Sequence, residues 1–165
     1  MKVDKESETQ SRLTHMKVED LQAYFLTSAL AQALRVKVYG GEIAIYTRDC
    51  VLVRALTDQG HTGYASGTPS PNVAQLINRN LHAALVGLNP GNLSALRKKV
   101  FNRRPQHPVL VQAFGVVEIA LLVLQGQIRG CPLSELLGAR IRDRISLCVS
   151  MGFVLMGKKS LAGAH

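Results

Sequence analysis

The chain is poor in cysteine, and the three it has form no pattern. Cys50, Cys131 and Cys148 are an odd number scattered through 165 residues. Such a set neither closes a disulfide framework on itself nor supplies a zinc-type Cys/His site. Each has apolar neighbours, so buried free thiols of a reducing, cytoplasmic compartment are expected. The histidines His15, His61, His82, His107 and His165 show no H-x-x-x-H or Cys/His spacing, and surface or helix-face positions account for them. Acids are scarce: eleven Asp and Glu stand against twenty Lys and Arg, for a formal net charge of +9. They are scattered and give no cluster suited to Mg²⁺, which takes hard oxygen ligands in octahedral geometry.

Other absences narrow the function classes. The longest apolar run, from Val109 to Leu124, is broken only by Gln112, Gly115 and Glu118. A membrane-spanning helix needs about 20 apolar residues, so a buried core helix and no membrane partner are expected. Residues 1–15 alternate Lys2, Lys5 and Arg12 with Asp4, Glu6 and Glu8. With no apolar stretch this predicts a disordered tail in place of a secretory leader. "GHTG" is followed by no helix at the right place for a phosphate loop. Ser66, Thr68 and Ser70 lie in a Pro/Gly-rich loop with no identifiable base.

What is present is a globular composition, 47% hydrophobic and 19% charged, in a chain long enough for one domain with its own core. "KVEDLQAYFL" (17–26) reads as a strand, 27–47 as a long excursion broken at Gly40-Gly41, "CVLVRAL" (50–56) as a strand, "TDQG" as a tight turn and "HTGYAS" as the returning strand. The period then changes. Val73, Leu76, Ile77, Leu81, Ala84 and Leu85 recur at three and four residues and predict an amphipathic helix ending near Gly87. Asn92 or Ser94 can cap a second helix striped by Leu93, Leu96 and Val100, ended by Pro105. Pro108 opens a long helix, apolar nearly all round, that ends by Gly130. Pro132 starts a last turn or two, with Leu133, Leu136 and Leu137 inward and a left-handed stop at Gly138. Strands first and helices after is an α+β order: a three-stranded antiparallel sheet followed by a helical bundle.

The charge is uneven. No acid falls between Asp58 and Glu118, whereas Arg79, Arg97, Lys98, Lys99, Arg103 and Arg104 do. "RKKVFNRR" (97–104) is therefore the stretch that a basic nucleic-acid-binding module would use. No helix-turn-helix pattern accompanies it, and Phe101 is its only aromatic, so a solvated outer helix face is the plainer account.

Residues 118–143 resemble the end of the amino-terminal capping domain in the mandelate racemase/muconate lactonizing enzyme family of the enolase superfamily. Glu118, Ala120, Leu121, Gly126, Gly130, Pro132, Leu136, Leu137, Gly138, Arg142 and Asp143 fit its pattern in order and spacing. Thr57, Asp58, Gly60 and Gly63 resemble its hairpin turn. The likeness covers roughly residues 16–150. It departs at Val123, where the family usually has aspartate, at Gln127 (lysine), and at Ala139 (the second glycine). Ala65 and Ser66 replace a glycine and an acid that often follow the hairpin, and Cys148 replaces a tyrosine.

The resemblance implies an enolase-like capping domain over 16–138, then a hinge and the first, orphan strand of an incomplete β/α barrel over 139–165. A whole barrel takes about 250 residues, so a truncated chain is expected, inactive alone and prone to self-association through that strand. Relatives with a barrel are Mg²⁺-dependent dehydratases, epimerases or racemases of sugar acids and related carboxylates. Their lysine bases and metal ligands lie on later barrel strands, so this chain is expected to hold no cofactor. A carboxylate or sugar-acid substrate would bind only if a barrel is supplied. Adjacent Lys158 and Lys159 point to opposite faces of a strand and cannot both serve as bases. By the same resemblance the excursion 34–47 and the loop 64–70 form a lid, with Tyr39, Tyr46 and Tyr64 as substrate-binding aromatics.

Overall fold

The computed structural model describes residues 15–38, 41–102, 107–138 and 140–147. The chain divides into two compact units, Met1–Leu26 with Cys50–Ile141, and Thr27–Asp49 with Arg142–His165.

Three strands, β1 (Val18–Val38), β2 (Gly41–Thr57) and β3 (Thr62–Gly67), form an antiparallel sheet in the order β1-β2-β3. In β2 the residues Val51, Val53, Ala55 and Thr57 are buried and those between them only partly so. This is the period of two that one covered face requires. The expected turn forms: the Thr57 amide donates to the His61 carbonyl at 3.0 Å and the Gly60 amide to the Thr57 carbonyl at 2.9 Å. Gly60 sits at φ 79°, a conformation that glycine adopts without steric cost. The turn fixes the register, from Leu56 opposite Thr62 to Val51 opposite Gly67.

The expected long loop over 27–47 is not one. Residues 27–38 continue β1 and residues 41–49 begin β2, so the excursion is a β-ribbon. "SALAQALRV" has no alternation to announce a strand, and its alanines and leucines favour helix when alone. Pairing along the ribbon overrides that weak local preference.

Helix α1 is continuous but not uniform: α-helical over Pro71–Leu76, π-helical over Ile77–Leu81 and α-helical again over His82–Leu85. Val73, Ala74, Ile77, Leu81 and Leu85 are buried. Gly87, at φ 82°, turns the chain so that its amide reaches the Val18 carbonyl at 2.8 Å, while the Val18 amide donates to Leu88 at 2.9 Å. Helix α2 (Leu93–Phe101) is capped by Asn92, whose side-chain oxygen accepts from the Ala95 amide at 3.0 Å. This satisfies one of the amides a helix start leaves open. Leu96 and Val100 are buried as the stripe predicts. Pro105 lies outside the described residues.

Helix α3 (Pro108–Arg129) is the core helix. Its apolar window is long enough to cross a membrane, yet half of that window is buried inside the fold. Ala113, Phe114, Val117, Ala120 and Leu121 are buried in a core shared with the inner face of the sheet. Gly63 and Gly67 of β3 lie against Ala120 and Val116, where a side chain would not fit. The helix ends at Gly130, φ 64°, with the Cys131 amide bonded to the Gly126 carbonyl at 3.0 Å, a glycine stop of the expected kind.

Helix α4 (Leu133–Leu136) is one turn, and Leu137 is exposed in contrast to the inward position expected of it. A single turn presents too little surface to bury three leucines. Ile145–Leu147 belong to no helix or strand and are exposed. The rest of the expected orphan strand, like Cys148 and the lysine pair 158–159, lies outside the described residues. Cys50 and Cys131 are free and half-buried, less covered than expected.

Candidate functional site

Tyr64 is on β3, directly opposite Arg54 of β2, and about half of its surface is exposed, 51%. It stands on the sheet face turned away from the core, since its neighbours Gly63 and Ala65 are buried. Arg54 is the hub of this face. Its Nη2 donates to Asp20 Oδ2 at 2.8 Å and to Gln22 Oε1 at 3.3 Å, and the Tyr24 hydroxyl donates to the same Gln22 oxygen. The Asp20 hydrogen bond holds the Arg54 guanidinium above its ordinary pKa, with Tyr24, Asp20 and Tyr64 adding electrostatically. Asp20 also faces His82 Nε2 of α1 at 3.3 Å. A hollow of about 410 Å³ opens beside it, lined by Asp20, Gln22, Tyr24, Asn78 and His82.

Sequence reasoning singled out Tyr64 and missed Arg54, Asp20 and His82. A signal existed for Arg54: the four-residue turn at Thr57–Gly60 fixes the hairpin register and so the Arg54–Tyr64 pair. None existed for Asp20 and His82, which meet only through tertiary packing.

In the ribbon unit, Tyr46 is 66% exposed. Arg35 donates to Glu42 Oε1 at 2.7 Å, and this bond, with Glu42 and Tyr46 acting electrostatically, raises the Arg35 pKa. Thr47 donates to Asp49 Oδ2 at 3.2 Å. Tyr39 lies outside the described residues.

The basic run is put to structural use. Arg97 donates to both carboxylate oxygens of Glu118, at 2.7 and 2.6 Å, and lies 5.9 Å over the ring of Phe114. Phe114 meets Phe101 edge to face, with centroids 5.3 Å apart. Arg97 thus ties α2 to α3, and its charge is already matched. An open cleft of about 780 Å³ beside it is lined by Lys98, Lys99, Ser94 and Asn102. Arg103 and Arg104 lie outside the described residues. Val123, in place of the resembled family's aspartate, walls a shallow apolar hollow with Gly126, Gln127 and Cys131.

Among the described residues no three His, Cys, Asp or Glu side chains are grouped to hold a metal ion. Tyr64 stands exposed beside the Arg54–Asp20 pair of the first unit, and Tyr46 stands exposed in the ribbon unit.

An open antiparallel sheet of three strands followed by helices has the architecture of an enolase-type amino-terminal capping domain. Residues 28–138 match the model of the mandelate racemase/muconate lactonizing enzyme N-terminal domain, and the chain belongs to that family. A D-galactonate dehydratase family member from Streptomyces bingchenggensis is 30% identical over 105 residues, covering 59% of this chain and 25% of the relative. A D-gluconate dehydratase from Thermoproteus tenax is 29% identical over 104 residues, 59% of this chain and 20% of that protein. A crystal structure of a Bordetella bronchiseptica RB50 protein of the mandelate racemase type superposes with a TM-score of 0.68. It is 29% identical, over 76% of this chain and 34% of that one. The chain spans a quarter or less of the length of these two curated relatives.

Proposed function

We propose that this chain is the substrate-capping domain of a sugar-acid dehydratase or epimerase of the mandelate racemase/muconate lactonizing enzyme type. The observation that carries the proposal is the family match over 28–138, which takes in the ribbon, the hairpin and every described helix up to α4. Such enzymes remove a proton alpha to a carboxylate with Mg²⁺ as the electrophile. The described residues do not fit that metal, so the cap's own part is to bind, orient and exclude water. Tyr46 and Tyr64 carry exposed hydroxyls suited to the hydroxyls of a polyol acid, and Tyr39 completes the set in sequence. Closing a lid of this kind strengthens the electrostatics of the site it covers. The cap works in the cytoplasm, on a barrel that supplies the base and the metal ligands.

The test is complementation. The chain is co-expressed with the barrel of the Thermoproteus tenax D-gluconate dehydratase and assayed with Mg²⁺ on a panel of sugar acids for the dehydrated keto acid. Turnover is expected only with both parts, and Tyr46→Phe or Tyr64→Phe should raise KM more than they lower kcat. Turnover by the chain alone, or a barrel indifferent to it, would contradict the proposal.

A further inference from the structure

The positive charge of α2 is only partly matched. Arg97 is neutralised by Glu118, whose two carboxylate oxygens it binds at 2.7 and 2.6 Å. Glu118 is the only acid on either α2 or α3, and the sequence has none between Asp58 and Glu118. Lys98 and Lys99 therefore stand exposed with no ion-pair partner among the described residues.

These two lysines do not lie on a smooth helix face. Ser94, Lys98 and Phe101 recur at four and three residues, which puts them on one side of α2, and that side borders the open cleft of about 780 Å³. Lys99 and Asn102 line it too, while the half-buried Phe101 and Val111 of α3, 44% exposed, give it an apolar wall. Phe101 is fixed there by its edge-to-face contact with the buried Phe114. A solvated face accounts for charge, but not for a hollow that joins two unmatched cations to an exposed valine and a phenylalanine. Small-ligand sites have this make-up, apolar walls with a few placed polar groups, in volumes of roughly 300–1,000 Å³.

Each wall limits the occupant. The lysines call for an acidic head, since neither helix offers them a carboxylate, and Phe101 with Val111 calls for an apolar body. We propose that the cleft between α2 and α3 binds a small amphiphilic anion, its acidic head on Lys98 and Lys99 and its apolar body against Phe101 and Val111. Ser94 and Asn102 add neutral donors beside the cations. A polyanion fits less well. Nucleic-acid affinity comes from neutralising several phosphates in a row, and two adjacent lysines beside a neutralised Arg97 make no such track. The site is built on the helices alone and stands independently of the capping role.

The test titrates the full, nitrogen-labelled chain with octanoate while its amide spectrum is followed. Saturable shifts are expected within residues 94–102 and around Val111. Acetate, which keeps only the head, and octanol, which keeps only the body, should each bind on the order of tenfold more weakly, because each forfeits one of the two contacts. Lys98→Gln combined with Lys99→Gln, both at exposed positions, should weaken octanoate on the order of tenfold, the worth of a charge-assisted hydrogen bond. Arg79→Gln, exposed on α1, should leave its binding unchanged. No saturable shift with octanoate would overturn the proposal. So would shifts centred on the exposed segment Ile145–Leu147, or acetate or octanol binding as well as octanoate does. An oligothymidylate that displaces octanoate at equal concentration would assign the face to nucleic acid and overturn it too. The titration of the unmodified chain decides the matter even if the double variant misfolds.

Discussion

Gly63 packs against the carbonyl of Ala120 so closely that a Cβ on the glycine would stand 2.1 Å from that oxygen and 2.8 Å from the Leu124 Cβ. The backbone of β3 therefore touches the backbone of α3. Gly63→Ala should destabilise the cap by about 3 kcal/mol, in the upper range of overpacking costs, because neither obstacle is a flexible side-chain end. Urea unfolding followed by circular dichroism measures it. Gly60→Ala is the comparison: nothing lies within 4 Å of its Cβ, so its cost comes from the positive φ alone and should be nearer 1 kcal/mol.

Asn78 substitutes for a neighbouring strand by bonding both backbone groups of Ala23. Its place in the π-helical turn sets it there, for Ile77 and Leu81 on the same turn are buried. Asn78→Ala should cost about 1 kcal/mol, the usual net worth of hydrogen bonds that water can replace, and should speed exchange of the Ala23 amide. An unchanged Ala23 exchange rate would show that the side chain does not guard this edge.

What was legible in the sequence follows from locality. Turn chemistry at Thr57–Gly60, the Asn92 cap and the Gly130 stop are signals within a few residues, and each appears where expected. The ribbon was not legible, because Ser28–Leu34 carries helix-favouring residues whose strand state is set by pairing. The π turn was invisible for another reason: Ile77 and Leu81 recur at four residues, a spacing an α-helix satisfies equally well. The Arg54 hub joins residues up to 34 positions apart, so no local pattern announces it. Of the candidate site, Tyr64 and Tyr46 are exposed, and the Arg54–Tyr64 pair follows from the hairpin register, while Asp20 and His82 join it only through tertiary packing.

Gln125 is buried, 5% exposed, and its Nε2 donates to the carbonyl of Pro90 at 2.8 Å. This bond fastens the loop before α2 to the core helix. Gln125→Leu keeps much of the volume but leaves a buried carbonyl without its donor, which should cost about 1–3 kcal/mol. The midpoint of thermal unfolding should fall, with faster exchange in the Asn89–Asn92 turn. Loss of stability without that local loosening would mean that packing, and not the hydrogen bond, is what the substitution disturbs.

The acids of the cap make the last prediction. Asp20 is held by Arg54 and His82, Glu42 by Arg35, and Glu118 by both bonds from Arg97. Asp58 accepts the Lys17 amide at 3.0 Å and so ties the turn to the start of β1. Each of these carboxylates already has a positive or donor partner, and among the described residues no third acid, histidine or cysteine gathers beside a pair of them. Mg²⁺ dehydrates reluctantly and needs one or two carboxylates aimed at a common point in near-octahedral geometry. Recruiting Asp20 or Glu118 would strip a guanidinium of its counter-ion, a further opposing cost. Titration of the isolated chain with Mg²⁺ should therefore give only weak, non-saturating heats, and Mg²⁺ at millimolar concentration should not raise its unfolding midpoint. Ligand-linked stabilisation grows with the ratio of free ion to dissociation constant, so a site of micromolar affinity would show as an unmistakable rise. Stoichiometric binding of that strength would mean that residues of this chain ligate the metal.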